Sequence, residues 1–489
     1  MYESKLIEHL KVLNDAEFSD FLRFVKAMTE YEKDIPEETY TLVKYIYKYI
    51  NNNDADKLSR ELVYKHVYSK QEWKNGRLDK LMSATLKVFK NYVDFKLSDE
   101  KSEIESLIPM TKFYRKRELH KLFELNIKQL KKCTQEIELY DTKQYWEKYS
   151  IENEIFEYQS QYNTKKESLN IPETIIALDY YYMTQRLDLT LVALVQNQFI
   201  PFDSSLESEN TINDVLKLTS NSIYKENTLI QLYKKAIQLQ LEKEISVSDI
   251  IFKEFNTLLE NNSDKVNFNK LSLFCTIARI YSTRQYNKGR NEFLIIILEL
   301  FKKHLTQKVL YVDDNIRAST LQNIISISLK LKEFEFAKSF LEVHKDRISG
   351  TLQPNLVWEY NMAFYYFEVG KLKEALDKLP NYLDLEDFSY ILSARRLEIK
   401  IHFELDNNRK YDMVGNKIDA FKNFLFENKK NNRIHELMFN INNDFTDLLR
   451  QMRNTLKSDK EKICKLKTKI EQNQAIAERE WLLAKLNAL

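Results

Sequence analysis

The sequence predicts an all-α protein, and three observations lead to this fold class. The chain has only 5 glycines and 6 prolines in 489 residues, so the residues that tight turns and β-hairpins need are scarce. Apolar residues recur at helical spacing along almost its whole length. Hydrophobic residues make up 43% of the chain and charged residues 30%, which is enough for a substantial core. We therefore expect long helices throughout and no β-sheet in the carboxyl half.

Charge and targeting signals narrow the class of protein. The formal net charge is +2, so no global field recruits nucleic acid or an anionic membrane. The amino-terminal "MYESKLIEHLKVLND" carries charges where a signal peptide needs an apolar core, and the longest conspicuous apolar run is "FLIIIL", residues 293–298. The three cysteines lie far apart, which disfavours a disulfide framework. These features predict a cytoplasmic protein with no membrane span.

The first region, residues 1–97, is predicted to be an N-terminal helical bundle. In "EFSDFLRFVKAM" the apolar residues Phe18, Leu22 and Val25 follow the spacing of one helix face. Short polar stretches such as "EKDIPEE" and "NNNDADK" divide this region into four or five helices.

The second region, residues 98–220, is predicted to contain long, highly charged helices. The pattern breaks at "NTKKESLNIPET", and residues 199–214 form the longest predicted loop.

The third region, residues 221–450, is predicted to consist of helical hairpins. In "YNMAFYYFEVGKLKEALDKL", residues 360–379, small or aromatic residues lie at Ala363, Tyr366, Gly370 and Ala375. This stretch resembles a tetratricopeptide repeat, in which two antiparallel helices pack closely. The resemblance implies that glycine forms the turn and that alanine lies at the helix crossing.

A second stretch, residues 321–345, repeats this frame. Ala337 precedes Ala375 by 38 residues, which is longer than the usual period of roughly 34. Pro380 should end or kink the second helix of its pair. We expect these repeats to stack into a tetratricopeptide-like solenoid, in which Ala337 and Ala375 make equivalent close contacts. The predicted packing residues are Ile325, Ala337, Leu341, Ala363, Tyr366, Gly370 and Ala375.

The whole chain also resembles long helical proteins of Bacteroidota-type bacteria that have no characterised activity. The segments that carry this resemblance are "EFSDFLRFVKAM", "LDYYYMTQRLDL" and the terminal "REWLLAKL". The resemblance implies a cytoplasmic helical-repeat protein.

The last region, residues 451–489, has two interpretations. Apolar residues from Met452 to Ala477 alternate spacings of four and three, as in a coiled coil, but Asp459 and Asn473 interrupt them. Ser458 and Glu461 form a capping-box pattern, so a helix could restart there. The region is predicted to be either a helix that caps the solenoid or a short dimerising coiled coil.

Motifs for catalysis and cofactor binding are missing from the sequence. No two of the five glycines are close enough for a phosphate-binding loop. The chain has no HExxH motif, no G-x-S-x-G motif and no closely spaced cysteine and histidine set. We predict a protein that is not an enzyme and has no cofactor.

One basic stretch suggests a second binding function. Residues 112–132 contain eight lysines or arginines and two glutamates, and are predicted to form one helix. The residues available to phosphates would be Arg115, Lys116, Lys121, Lys128 and Lys132. A solvated helix face and a docking site for an acidic protein are the alternatives.

The leading hypothesis is a non-enzymatic scaffold or adaptor that binds another protein through the first helices of its repeats. Because they lie off the predicted packing positions, Asn361, Tyr365 and Glu368 are the candidate partner-binding residues. The alternative is a nucleic-acid-binding component of a defence or regulatory assembly, acting through residues 112–132.

Overall fold

The structure is a computed structural model. It describes residues 4–51, 54–69, 71–99, 102–135, 141–162, 168–197, 209–381, 384–385, 387–405, 413–455, 458–473 and 475–488. Within these ranges the chain forms 24 α-helices and three very short strands. The prediction of an all-α protein is therefore confirmed.

The chain divides into two compact units, Met1–Gln185 and Arg186–Leu489, and the division falls within one long helix, α9. The helices up to this division are α1 (Lys5–Lys11), α2 (Asp15–Tyr31), α3 (Glu38–Asn51), α4 (Arg60–Val67), α5 (Arg77–Asp99), α6 (Glu103–Lys116), α7 (His120–Gln135), α8 (Thr142–Tyr162) and α9 (Ile171–Gln196).

The helices of the second unit follow in chain order. They are α10 (Glu209–Leu218), α11 (Ser222–Lys225), α12 (Thr228–Leu241), α13 (Ile245–Glu260), α14 (Phe268–Asn287), α15 (Phe293–Thr306), α16 (Ala318–Lys330), α17 (Phe334–Val343), α18 (Pro354–Glu368), α19 (Leu372–Lys378), α20 (Phe388–Leu405), α21 (Met413–Lys430), α22 (Glu436–Arg453), α23 (Lys460–Gln472) and α24 (Arg479–Asn487).

Helices α1 to α5 enclose the main core of the first unit. Phe21 and Val25 of α2 are fully buried there, together with Leu42 of α3. The side chain of Asn14 accepts a hydrogen bond from the Glu17 backbone N–H, and Glu17 accepts one from the Asn14 N–H, so a capping box starts α2. A smaller core, which includes Ile104, Leu130, Ile151 and Ile155, lies among α6, α7 and α8.

In the second unit, α12 to α21 contact one another as five successive pairs. The two helices of each pair contact each other, and the second helix of a pair contacts the first helix of the next. The apolar cores extend across neighbouring pairs, since residues of α15 through α20 belong to one buried cluster. Helices of this kind bury their apolar faces mainly on neighbours. The tetratricopeptide-like solenoid itself stays a prediction.

A small sheet lies in the carboxyl half, so the expectation of no β-sheet there is wrong. Strand β1 (Tyr311–Val312) pairs antiparallel with β2 (Asn315–Arg317), and β2 pairs parallel with β3 (Ile348–Ser349). Asp313 and Asp314 both have positive φ, which is the geometry of a two-residue hairpin turn. The strands are too short to give an alternating apolar pattern, and they only connect helices.

The carboxyl terminus contains three separate helices, and its described residues do not form one continuous coiled coil. Helix α22 ends at Arg453, and α23 restarts at Lys460, where the Asp459 carboxylate accepts the Lys462 backbone N–H. The cap is therefore Asp459 and not the predicted Ser458. Leu466 and Ile470 of the predicted seam are buried against the chain's own α20 to α22 core.

Candidate interaction surface

Two neighbouring helix pairs, α16–α17 and α18–α19, share the same turn geometry 38 residues apart. Gly370 has a φ of 78°, and the residue at its equivalent position, Lys332, has a φ of 60°. In each turn the next residue closes the helix end: Lys371 N–H donates to Tyr366 O at 2.8 Å, and Glu333 N–H donates to Ser328 O at 2.8 Å.

The two alanines of the predicted crossing also have equivalent environments. Ala337 is the fourth residue of α17, Ala375 is the fourth residue of α19, and neither is exposed to solvent. Their backbone N–H groups donate to the carbonyls of Glu333 and Lys371 at 3.0 and 2.9 Å. Their predicted role as close contacts between two helices stays a proposal.

The other predicted packing residues are buried or nearly so. Ile325, Leu341 and Ala363 have no exposed surface. Tyr366 is half-buried against the same core. Helix α19, the second helix of its pair, ends at Lys378, two residues before Pro380.

Two of the three candidate partner-binding residues lie inside the protein, so the expectation that they are off the packing positions is wrong. Asn361 is fully buried and its amide donates to Val357 O at 2.8 Å, while Tyr365 is only 8% exposed. Helix α18 contacts helices on several sides, α16, α17, α19 and α20, so few of its positions face solvent. Glu368, at its carboxyl end, is exposed.

Glu368 belongs to a charged surface that the sequence did not reveal. We call this surface the first-helix face and define it by five residues of the first helices α16, α18 and α20: Lys330, Glu368, Arg396, Lys400 and Glu404. The chain's own residues 475–488, which include α24 and are called the C-terminal segment below, contact four of these five side chains.

The strongest contact is made by one carboxylate of the C-terminal segment. Glu478 Oε1 lies 3.2 Å from Arg396 Nε, and Glu478 Oε2 lies 2.8 Å from Lys400 Nζ. Burial alone would raise the pKa of Glu478, but the charges and hydrogen bonds of Lys400 and Arg396 outweigh it and lower the pKa to about 2. The carboxylate is therefore held in its ionised form.

The Lys400 ammonium is enclosed as well. Lys400 is 4% exposed, and its Nζ lies 4.6 Å from the ring centroid of Phe367 and 5.7 Å from that of Trp481. A buried cation is costly unless it is paired, so Lys400 depends on Glu478 and these rings.

A second contact centres on Glu404. Its Oε1 accepts the indole N–H of Trp481 at 3.0 Å, and its Oε2 accepts from Lys485 Nζ at 2.7 Å. The Trp481 ring makes an edge contact with Phe403 at 5.3 Å between centroids. Trp481 packs against the core of α15 to α20 and also against the core of α20 to α24.

A third contact is nearer to solvent. Lys330 Nζ lies 3.3 Å from Glu480 Oε2 and donates to the Tyr286 hydroxyl at 3.2 Å. Glu368 is exposed as a residue, but the groups around its carboxyl remove enough water to raise its pKa, and the charges of Lys400 and Lys330 oppose this rise. Lys330 and Glu368 occupy equivalent positions 38 residues apart and carry opposite charges.

The predicted basic helix is in fact two helices. Helix α6 ends at Lys116 and α7 begins at His120, with Glu118 at a φ of 57° in the turn between them. Arg115 is buried and its Nε lies 2.8 Å from Glu154 Oε2 of α8, so it is not available to a phosphate. Lys116, Lys121, Lys128 and Lys132 are exposed, and they are divided between the two helices.

The described part of the chain contains neither a candidate metal site nor a candidate membrane-spanning helix. No group of three or more histidines, cysteines, aspartates or glutamates in it could hold a metal ion. None of the helices described is both long and apolar enough to cross a membrane.

Comparison with known proteins adds no functional assignment. The chain matches no protein-family model, no curated protein and no solved structure.

Proposed function

We propose that this chain is a non-enzymatic helical scaffold that binds another protein on the first-helix face. The observation that supports the proposal is that this face holds a helical segment, the C-terminal segment, through side chains of different helix pairs. Successive pairs in a solenoid would place such side chains side by side, which is how repeat proteins bind extended partners. We place this function in the cytoplasm, where the free cysteines would remain reduced.

The arrangement of charges on the first-helix face would determine which partner proteins bind to it. Lys330, Arg396 and Lys400 provide cations, and Glu368 and Glu404 provide anions, within three neighbouring first helices. A surface with both signs in fixed order favours a partner of complementary order and disfavours others. Such selectivity is expected of an adaptor that binds one kind of partner, and not of a protein that binds many partners without selection.

The test is a charge reversal at the exposed residue of the face. We expect Glu368→Lys to reduce capture of a protein partner from native lysate at least fivefold, with an unchanged melting temperature. The matched control is Glu374→Lys on α19, the second helix of the same pair, where Glu374 is also exposed. Equal capture by wild type and Glu368→Lys, or equal loss in both variants, would contradict the proposal.

Nucleic-acid binding through α6 and α7 is the second candidate function. The observation in its favour is that Lys116, Lys121, Lys128 and Lys132 are exposed on adjacent helices. Binding through these residues would weaken steeply with salt, because each phosphate contact releases counterions. We would measure binding of RNA and DNA at two salt concentrations, with Lys121→Glu/Lys128→Glu as the variant. Binding that is absent or insensitive to salt removes this function.

A further inference from the structure

We propose that the C-terminal segment is a replaceable occupant of the first-helix face, and that the partner of this face is a helix of another protein with the same chemistry. That chemistry follows from the chain's own residues 478–486, "EREWLLAKL": a carboxylate, a tryptophan three residues later, then a leucine, a lysine and a leucine in the pattern E-x-x-W-L-x-x-K-L. The inference rests on the proposed function and specifies the partner of the same surface.

The face has a built receptor for a carboxylate. Arg396 and Lys400 lie one helical turn apart on α20 and both approach the Glu478 carboxylate, while Arg396 is oriented by Asn442 Oδ1 at 2.6 Å and Ser393 Oγ at 3.0 Å. If the carboxylate left without replacement, the buried Lys400 ammonium would lose its salt bridge and keep its contacts with aromatic rings and the more distant charge of Glu368. The empty face is therefore unfavourable, and a segment without an acid at this position would not fill it.

The face also has a receptor for tryptophan and lysine. Trp481 and Lys485 are one turn apart on α24, and Glu404 binds both of them through its two oxygens. Leu482 and Leu486 follow on the buried side of the same helix and have at most 1% of their surface exposed. A partner helix must repeat these positions to cover the same apolar surface.

The C-terminal segment has features of an occupant that can leave. Helix α24 has only nine residues, too few to be stable without its contacts. Glu478, which precedes it, has a φ of 55°, a left-handed conformation that is uncommon for glutamate. The chain adopts it where it turns from α23 into α24, whereas a partner helix that arrives from outside has no such turn to make.

The same segment of a second copy is the main competing occupant. Exchange between two copies would make the same contacts, and it would lose translational and rotational freedom just as binding of another protein does. A partner with an unstrained helix start binds without the backbone cost of the left-handed Glu478. This difference favours another protein over a second copy.

A labelled peptide of residues 475–488 tests the proposal by fluorescence anisotropy. The full-length variant Glu478→Gln/Trp481→Ala weakens the internal occupant, and we expect it to bind the peptide at least tenfold more tightly than wild type. Adding Glu404→Gln to this variant should reduce peptide affinity at least fivefold, and a peptide with Gln in place of Glu478 should fail to bind. No peptide binding by a folded, monomeric variant would overturn the proposal. A variant that dimerises in light scattering where wild type is monomeric would also overturn it, in favour of exchange between copies.

Amide hydrogen exchange of the wild-type chain is the second measurement, and it serves if the variant does not fold. We expect residues 479–487 to exchange at least tenfold faster than the buried amides of α20 and α22. Exchange at the same rate would show that the segment opens only with the whole core and would refute the inference. Peptide binding without any effect of Glu368→Lys on partner capture would leave the receptor intact and contradict the proposed function alone.

Discussion

The pairs α16–α17 and α18–α19 are built alike at their turns and differently at their ends. Both turns place one residue in the left-handed region, followed by a hydrogen bond back to the end of the first helix, yet that residue is Lys332 in one pair and Gly370 in the other. Glycine adopts this conformation without steric cost, and lysine does so at a cost. The same backbone hydrogen bond therefore forms with either residue in the turn, and glycine only lowers the conformational energy of the left-handed residue.

Different structural elements flank the two pairs. The first pair is flanked by β2 and β3, and its last helix is capped by His344, which is buried. The second pair begins with Pro354 at the first helical position and ends just before Pro380. Prolines therefore delimit one pair, whereas a small sheet delimits the other.

The largest expected change in stability comes from substitutions of Ala337 and Ala375, and it tests whether the pairs α16–α17 and α18–α19 are equivalent. We expect Ala337→Leu and Ala375→Leu each to lower the free energy of unfolding by about 1–3 kcal/mol, because both sites are fully buried and the added carbons overpack the core. Urea denaturation measures this directly. Ala484→Leu, at an exposed position of α24, is the control and should change stability by less than about 0.5 kcal/mol. A cost at only one of the two alanines would break the equivalence of the pairs.

A smaller expected change in stability comes from His344, at the end of the pair α16–α17, and it depends on pH. Its Nδ1 lies 2.8 Å from Phe340 O and its Nε2 lies 2.9 Å from the Tyr311 hydroxyl, an arrangement that a neutral imidazole satisfies as donor and acceptor. Burial lowers the pKa of His344, and the charge of Arg347 lowers it further, although the hydrogen bond with Phe340 opposes this. The residue at the equivalent position, 382, lies outside the described residues.

The sign of the pH dependence follows from this lowered pKa. The unfolded chain binds a proton at His344 around pH 6.5, the ordinary value, and the folded chain binds it only at lower pH, so stability falls as pH decreases through this range. We expect wild type to lose more stability than His344→Gln between pH 7.5 and 5.5. Thermal denaturation at both pH values gives the difference, and His120→Gln, at an exposed histidine, should follow wild type. An equal loss in His344→Gln and wild type would contradict the assignment.

The smallest effects come from the turns themselves, and they should have opposite signs. Gly370→Ala should destabilise by about 1 kcal/mol because of its positive φ alone, since an added Cβ would meet nothing within 4 Å. Lys332→Gly should stabilise by up to about 1 kcal/mol, because it removes the same strain. Denaturant midpoints compare the two variants. If both changes had the same sign, the two turns would not share one geometry.

The sequence was sufficient to predict the fold class. Helical periodicity and the scarcity of turn residues indicated the helices, and Ala337 and Ala375 have the equivalent burial that their spacing suggested. Gly370 was recognisable because glycine is rare in the chain, whereas Lys332 carries no compositional signal for the same turn. Hydrogen bonds between backbone atoms leave little trace in residue identity.

Surface assignments were less predictable because they depend on neighbours distant in sequence. The burial of Asn361 and Tyr365 follows from helices that pack around α18 on several sides, and the burial of Arg115 from an ion pair with Glu154, 39 residues away. The contact of Lys330 with Glu480 spans 150 residues. An isolated Glu or Lys in the sequence does not identify such a partner, although the tryptophan next to charged residues in "REWLLAKL" was a usable sign of a packed terminus.

The parallel pairing of β2 with β3 has a mechanical consequence. Ile316 N–H donates to Arg347 O, so the chain just before α16 is tied to the chain just after α17. Tension applied to the two ends of the protein would pass through this short link before reaching the helices it encloses. Because the two strands run in the same direction, the pull would shear them past each other instead of peeling them apart, which is the direction in which a paired backbone resists most.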